Sequence, residues 1–156
     1  MSLDHATAHL AQFGLDGRIR LFDVSSATVE LAAQAVGCPP AHIAKTLSFL
    51  LPEGPVLILA AGDARVDNAK YKARFHTKAK MIPSEQVEPL IGHGVGGVCP
   101  FGVNEGVPVY LDQSLRRFDT VYPAAGTANS AVELSLEELE RAAQAAGWVD
   151  VCKDWG

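Results

Sequence analysis

The sequence is short of cysteine, of basic charge and of long apolar runs, and each shortage excludes a class of protein. Three cysteines stand far apart in 156 residues, and this odd number argues against a disulfide framework. The 13 Lys and Arg residues are outnumbered by 18 Asp and Glu residues, which gives a net charge of −5. This balance argues against a non-specific DNA-binding protein, since neutralisation of phosphates dominates such binding. No window holds the roughly 18 consecutive apolar residues that a membrane span needs.

The N-terminus, MSLDHATAHL, lacks the basic start and the apolar run of a signal peptide, so we expect a cytoplasmic protein. Hydrophobic residues make up 48% of the chain and charged residues 20%, as in ordinary globular proteins. The length is that of one domain, and the chain has no repeats, low-complexity tracts or linkers. We therefore expect a single domain over residues 1–156, either as a monomer or as a homodimer.

Helix and strand patterns alternate along the chain. Helices are predicted over 5–14, 25–37, 67–75, 84–92 and 135–147, and strands over 18–24, 46–51, 56–61, 102–112 and 118–126. Ser25 or Ser26 is expected to cap the second helix. Ser135 and Glu138 have capping-box spacing at the start of the last helix, and Gly147 is expected to end it. Because several strands are joined by short turns, such as PEGP, the pattern predicts a mixed α/β domain rather than a purely parallel sheet.

The segment GHGVGGVCPFG, residues 92–102, has five glycines in eleven residues. It contains the spacing G-x-G-x-x-G, but it follows a predicted helix and cannot open another, as a dinucleotide-binding turn would. No Gly-Lys-Ser/Thr ends it, which excludes a P-loop. Two interpretations remain: a structural turn, or a loop whose unobstructed N–H groups stabilise an oxyanion during acyl transfer. Pro100 fixes the exit of the loop in either case.

Cysteine and histidine give weaker signals. Cys99 could act as a nucleophile with His93 or His76 as its base, but the sequence gives no third group to orient that base. His5 and His9 have the i, i+4 spacing of zinc ligands on a helix, yet no further ligand accompanies them. We expect neither a metal nor a cofactor.

Basic residues concentrate in residues 64–80. This stretch carries six of the 13 basic residues, against one acid, and is either a solvated helix face or a local phosphate-contacting surface. Lys45 is a separate case, because it begins an apolar strand with no acid near it in the sequence. It is either a strand-end lysine that extends to solvent or a point charge aimed into a cleft, suited to phosphate or carbonyl oxygen.

Four segments taken together, IAKTLSF, LILAAGDARVD, GVGGVCPFG and FDTVYPAAGTANSAVELSLEEL, resemble the YbaK/EbsC-like aminoacyl-tRNA deacylase family. That family includes the editing domain inserted in bacterial prolyl-tRNA synthetases. The likeness runs from about residue 22 to residue 148. It implies a compact α/β fold with a mixed, barrel-like sheet flanked by helices. It also implies hydrolysis of small amino acids wrongly attached to tRNA, typically proline tRNA.

The resemblance implies that Lys45 is the essential lysine, that Gly96 and Gly97 lie in the substrate-binding glycine loop, and that AAGTANS is a second loop. We hypothesise that N–H groups around Gly96 and Gly97 bind the substrate carbonyl, while Lys45 holds the terminal phosphate or the aminoacyl group. The substrate pocket is expected to include Phe22, Thr46, Pro100, Phe101, Gly102, Gly126, Thr127, Asn129 and Ser130. Contacts to tRNA are expected from Arg65, Lys70, Lys72 and Arg74.

The chain departs from the Cys-tRNA(Pro) deacylase branch, which has a serine where Ala124 aligns and an aspartate where Ala131 aligns. This difference argues against specificity for cysteine. The expected partners are the acceptor end of aminoacyl-tRNA and a prolyl-tRNA synthetase, with no membrane and no DNA. Since the synthetase's own catalytic segments are missing, the domain is expected to act alone. The alternative is a non-catalytic module that binds tRNA ends or a synthetase.

Overall fold

The computed structural model describes residues 2–155 of the protein. Its main sheet is mixed and has four strands. The helices are α1 Ser2–Ala11, α2 Val29–Val36, α3 Asn68–Phe75, α4 Ser84–Ile91 and α5 Leu136–Ala142. The strands are β1 Ile19–Leu21, β2 Ala44–Leu51, β3 Gly54–Ala61, β4 Arg65–Val66, β5 Val109–Asp112, β6 Thr120–Val121, β7 Ser130–Val132, β8 Leu134–Ser135, β9 Gly147–Val149 and β10 Cys152–Lys153. Short 3₁₀ turns cover Asp16–Arg18, Pro40–His42 and Gln113–Arg117.

The main sheet has the order β2-β3-β5-β9. Strands β2 and β3 are antiparallel, whereas β5 is parallel to both of its neighbours. Strand β3 is central and completely buried from Val56 to Ala61, as an apolar strand covered on both faces should be. The other strands form three separate pairs, β1-β7, β4-β10 and β6-β8. The predicted mixed α/β fold is confirmed, but the strands within residues 2–155 do not close into a barrel.

Local sequence signals account for several element boundaries. The predicted β-hairpin is confirmed as β2 and β3, whose register ends with Leu51 opposite Gly54. Asp67 caps α3, since its Oδ1 accepts hydrogen bonds from the N–H groups of Ala69 and Lys70. Ser135 and Glu138 form the predicted capping box of α5. The caps depend on residues two or three apart, which a sequence pattern can identify.

Two predicted helix ends were wrong. The side chain of Thr28 caps α2, in place of Ser25 or Ser26. Ser26 lies before the helix, where its N–H donates to the carbonyl of Ala128 at 2.6 Å and its hydroxyl to that of Ser130 at 3.4 Å. Helix α5 ends at Ala142 rather than at Gly147, which instead begins β9 and pairs with β5. The backbone groups of Gly147 and its neighbours are satisfied by pairing with β5 at the edge of the main sheet, and a helix pattern does not reveal such pairing.

Three predicted strands are shorter than expected. The stretches 18–24, 102–112 and 118–126 contain strands only at 19–21, 109–112 and 120–121. Pro108 precedes the second of these and has no N–H, so it cannot extend the ladder as a donor. Its carbonyl accepts instead from the N–H of Leu57 at 3.0 Å. Among residues 2–155, no helix is long and apolar enough to cross a membrane.

Candidate active site

A cavity of about 280 Å³ lies against one face of β2. Its walls come from residues within the stretches 26–32, 43–48, 81–87, 95–98 and 122–131. These stretches are distant in the sequence, and the fold brings them together at the start of β2. The cavity therefore joins the lysine strand, the glycine loop (residues 92–102) and the second loop (residues 124–130), which are three of the segments selected from the sequence.

Four of the predicted site residues line this cavity, namely Lys45, Thr46, Gly96 and Ser130. Lys45 is the second residue of β2 and lies opposite Ala60 of β3. The hydroxyl of Thr46 is buried and has no hydrogen-bond partner among residues 2–155. The cavity thus gathers residues from β2, the glycine loop and the second loop into one site.

The ammonium of Lys45 is held by main-chain carbonyls. Its Nζ donates to the carbonyl oxygen of Ala64 and, at 3.5 Å, to that of Gly62. Burial lowers the pKa of Lys45 from its ordinary value, and the nearby charge of Asp63 opposes this effect. An ammonium carries three donors, so two carbonyl acceptors leave one N–H for a ligand. Lys45 is therefore a fixed cation at the edge of the cavity.

Gly96 and Gly97 have different surroundings. Gly96 lines the cavity with a φ of 93°, a conformation that favours glycine. The N–H of Gly96 has no acceptor among residues 2–155, whereas that of Gly97 donates to the carbonyl of Gly94 at 3.1 Å. A Cβ at Gly97 would lie 2.6 Å from the backbone of Gly126 and Thr127. Gly96 therefore offers a donor, and Gly97 allows the two loops to touch.

Ser130 organises the second loop. Its Oγ accepts from the N–H of Ala125 at 3.1 Å and donates to the carbonyl of Thr127 at 3.2 Å. The hydroxyl of Thr127 donates to the Oδ1 of Asn129 at 2.8 Å. The amide of Asn129 in turn donates to the carbonyl of Phe22 at 3.2 Å. These polar side chains fix the loop, and only Ser130 among Thr127, Asn129 and Ser130 lines the cavity.

Several residues predicted to touch the substrate lie elsewhere. Phe101 is completely buried in the hydrophobic core, with its ring centroid 6.0 Å from that of His9. Phe101, which was expected to belong to the substrate pocket, therefore does not line the cavity. A Cβ at Gly102 would lie 2.6 Å from the carbonyl oxygen of His5, so this glycine is needed for packing against α1. Phe22, Pro100 and Gly126 are likewise absent from the cavity wall.

The structure opposes a cysteine nucleophile. Cys99 is completely buried, and this burial raises the pKa of its thiol to about 12. Its partner His93 is also buried, with Nε2 2.6 Å from the carbonyl of Phe101. Burial lowers the pKa of His93. A protonated thiol with no access to solvent cannot attack a substrate. Among residues 2–155, no three His, Cys, Asp or Glu side chains converge on a possible metal position.

The basic residues predicted to contact tRNA divide into two kinds. Lys70 donates to the carboxylate of Asp150 at 3.1 Å and to the carbonyl of Cys152 at 2.9 Å. Arg74 lies over an aromatic ring, with Cζ 5.3 Å from the centroid of Tyr110. Arg65 and Lys72 are exposed, and neither takes part in the four ion pairs found among residues 2–155.

Sequence reasoning missed one wall of the cavity. The segment before α2, which includes Ala27 and Thr28, lies across from the glycine loop. No chemical signal marks this segment, because its residues are small and form no motif. Ala124 and Ala131 also line the cavity, at the positions where the sequence departs from the cysteine-specific branch. No Asp, Glu or His within residues 2–155 lines the cavity, so its wall offers no ordinary general base.

Comparison with known proteins gives consistent results. The model of the aminoacyl-tRNA editing domain family matches residues 24–142. The chain is 47% identical to the uncharacterized protein YwhH of Bacillus subtilis (strain 168), over 99% of both chains. It is similar to a crystal structure of a candidate trans-editing enzyme for prolyl tRNA synthetase, with a TM-score of 0.88, 29% identity and coverage of 97% of both chains.

A shorter similarity links the chain to proline–tRNA ligases. The ligase of Thermotoga maritima is 33% identical over 90 residues, which are 57% of this chain and 15% of the ligase. The match therefore involves a small part of that larger enzyme.

Proposed function

Because the chain belongs to the family of aminoacyl-tRNA editing domains, we propose that it is a hydrolase that deacylates mischarged tRNA. One observation carries this proposal: a single cavity unites Lys45 with Gly96 of the glycine loop and Ser130 of the second loop. The similarity to a candidate trans-editing enzyme and to proline–tRNA ligases supports proline tRNA as the carrier. The bond to be broken is the ester between the amino acid and the terminal ribose.

The mechanism that we propose needs no protein nucleophile. An ester is more reactive than an amide, so orienting water and stabilising the developing oxyanion can suffice. The N–H of Gly96 would donate to the substrate carbonyl. The remaining N–H of Lys45 would bind the terminal phosphate or the aminoacyl group. Water or the neighbouring ribose hydroxyl would take the proton, since no Asp, Glu or His within residues 2–155 lines the cavity.

The size of the cavity supports a small amino acid. Its volume is about 280 Å³, and part of this space must hold the ribose. Ala124 and Ala131 contribute only methyl groups to the wall, so they offer no polar group to a thiol or hydroxyl. We propose a small side chain bound mainly by shape.

We further propose that the exposed cations Arg65 and Lys72 meet the tRNA backbone. Since aminoacyl-tRNA is made and used in the cytoplasm, we place the activity there, in association with prolyl-tRNA synthetase.

Replacement of Lys45 tests the proposal. Proline tRNA charged with alanine, serine or cysteine is incubated with the protein, and release of free amino acid is measured. We expect Lys45→Ala to lower the rate by about 100-fold or more, as loss of one transition-state donor does. Arg141→Ala serves as the control, because it removes an exposed cation of α5 that lies outside the cavity. Circular dichroism establishes that both variants are folded.

A competing function is a non-catalytic module that binds tRNA ends or a synthetase. One observation favours it: two of the three Lys45 donors already bind carbonyls. The same assay separates the two functions. Binding of charged tRNA without release of amino acid supports the module, and wild-type turnover by Lys45→Ala would exclude the catalytic role of Lys45.

A further inference from the structure

The residues that hold Lys45 form a tight turn after β3. The acceptors of its ammonium are the carbonyls of Gly62 and Ala64, and the residue between them is Asp63. Burial lowers the pKa of Lys45, and the charge of this carboxylate partly offsets that effect; the pKa of Asp63 is lowered mainly by Arg117 and less strongly by Lys45. An acid therefore belongs to the same turn as the two acceptors, although Lys45 binds the carbonyls.

Arg117 forms an ion pair with the carboxylate of Asp63. Its two terminal nitrogens donate to the two carboxylate oxygens at 2.9 and 2.6 Å. This paired geometry is the strongest that arginine and a carboxylate can form. The hydrogen bond and the charge of Arg117 lower the pKa of Asp63. Asp63 is thus ionised and already neutralised by a partner other than Lys45.

The position of Arg117 is fixed by its surroundings. Its Nε donates to the carbonyl of Ser114 at 2.9 Å, and its guanidinium lies 4.7 Å from the ring centroid of Phe118 and 5.1 Å from that of Trp155. The Oγ of Ser114 accepts from the N–H of Ala61 at 3.1 Å. The 3₁₀ turn Gln113–Arg117 is therefore tied to the end of β3 independently of Asp63.

We propose that Arg117 is a positioning residue for Lys45: by neutralising Asp63 it prevents this carboxylate from capturing the Lys45 ammonium, which stays on main-chain carbonyls and available to the substrate. This inference rests on the proposed role of Lys45. Without Arg117, Asp63 would be an unpaired acid beside a half-buried cation. An ion pair between them would then consume the charge that the substrate needs.

Other charged groups near Lys45 do not replace this effect. Glu30 of α2 raises the pKa of Lys45 and Arg65 of β4 lowers it, each less strongly than Asp63 raises it. Cys152 of β10 would raise this pKa only as a thiolate. Burial keeps the Cys152 thiol protonated, with a pKa of about 12. Asp63 is the acid whose backbone neighbours hold the ammonium. Arg117, the partner of Asp63, therefore decides whether the Lys45 ammonium stays on the carbonyls or pairs with the carboxylate.

Four variants test the proposal: Arg117→Met, Asp63→Asn, the double variant Asp63→Asn/Arg117→Met, and Arg117→Lys. Methionine keeps an apolar stem against the two aromatic rings but removes the charge. Two readouts are taken. The first is kcat/KM for deacylation of mischarged proline tRNA. The second is the pKa of Lys45, followed by NMR on ¹³C-dimethylated lysines, with the Lys45 signal identified by its loss in Lys45→Arg.

We expect Arg117→Met to lower kcat/KM by about tenfold and to raise the pKa of Lys45 by about one unit, the effect of a newly paired carboxylate. Adding Asp63→Asn should restore kcat/KM to within about threefold of the wild type, because the competitor is gone. Asp63→Asn alone should not raise the pKa of Lys45. A purely structural role for Arg117 predicts no such recovery.

Two results would overturn the proposal: wild-type kcat/KM in Arg117→Met, or a double variant as impaired as Arg117→Met. If Arg117→Met does not fold, Arg117→Lys provides the test. A lysine ammonium neutralises Asp63 less completely than the arginine does, so this variant should raise the pKa of Lys45, by less than is expected for Arg117→Met. A pKa of Lys45 equal to that of the wild type would refute the proposal. The titration also separates the two hypotheses. If the wild type releases no amino acid, the proposed function fails; if Lys45→Ala is fully active, the catalytic role of Lys45 fails. In either case the pKa of Lys45 in Arg117→Met still establishes whether Arg117 shields Asp63.

Discussion

Gly96 and Gly97 are neighbours in the glycine loop but meet different constraints. At Gly96 there is room for a side chain, since a Cβ would lie 3.4 Å from that of Ala128, close to ordinary contact. The constraint at Gly96 is instead its φ of 93°. At Gly97 the constraint is space, since a Cβ would lie 2.6 Å from the backbone of the second loop. Backbone cannot rotate away as a flexible side chain can.

Gly97→Ala should therefore separate the two loops. We expect it to lower the free energy of unfolding by roughly 1–3 kcal/mol, the usual cost of overpacking, and to reduce deacylation because Gly96 moves with its neighbour. Urea unfolding and the deacylation assay measure the two effects. Gly17→Ala is the matched control, since nothing lies within 4 Å of a Cβ at that exposed glycine. Equal stability of the two variants would contradict the loop contact.

At the scale of elements, β4 and α3 carry cations with different environments. Lys70 is tied to Asp150 and to the carbonyl of Cys152, so its charge is partly used within the fold. Arg65 and Lys72 are exposed and belong to none of the ion pairs found in the described part of the chain. Only cations of the second kind are well placed to exchange counter-ions for phosphates.

Charge removal on these elements should affect tRNA recognition unequally. We expect Arg65→Gln and Lys72→Gln each to lower kcat/KM at low salt and to reduce its dependence on salt by about one unit of log–log slope per lost phosphate contact. Lys70→Gln should have a smaller effect on both. The measurement is kcat/KM from about 50 to 300 mM salt. Arg141→Gln, on α5, is the control. An unchanged salt slope in Lys72→Gln would exclude a phosphate contact there.

At the scale of the whole molecule, a buried histidine links stability to pH. Burial lowers the pKa of His93, whose Nδ1 has no partner among residues 2–155. As the pH falls through the unfolded value of about 6.5, the unfolded chain takes up a proton that the fold does not accept. Stability must therefore fall in this range. The lowered pKa values of Asp63 and Glu138 affect stability at lower pH than His93 does. The stabilisation from these two carboxylates is complete above about pH 4 and is lost below it.

Replacement of His93 isolates its contribution. Between pH 7 and 5.5 we expect the wild type to lose up to about 1.4 kcal/mol of unfolding free energy per pH unit through this residue. His93→Gln keeps a hydrogen-bond donor and should lose less over the same range. Urea unfolding at several pH values provides the measurement. His76→Asn is the control, because His76 is exposed and asparagine tolerates its φ of 64°. Parallel curves for the wild type and His93→Gln would contradict the prediction.

The parts of this protein that the sequence predicted depend on short-range chemistry. Asp67 caps α3, and Ser135 and Glu138 cap α5, because each hydrogen bond joins residues two or three apart. The β-hairpin is equally local. The motif of Lys45 with the glycine loop also identified the family, which the match over residues 24–142 confirms.

Tertiary structure decided which of the motif residues face the cavity. The N–H of Gly97 is used within its own loop, and Phe101 lies in the core rather than in the pocket. The wall before α2 and the Arg117–Asp63 pair beside Lys45 join segments far apart in the chain, the pair across 54 residues. Such contacts depend on how the sheet and loops pack, and packing leaves no periodic pattern in the sequence. Local hydrogen bonding set the elements, and long-range packing set the site.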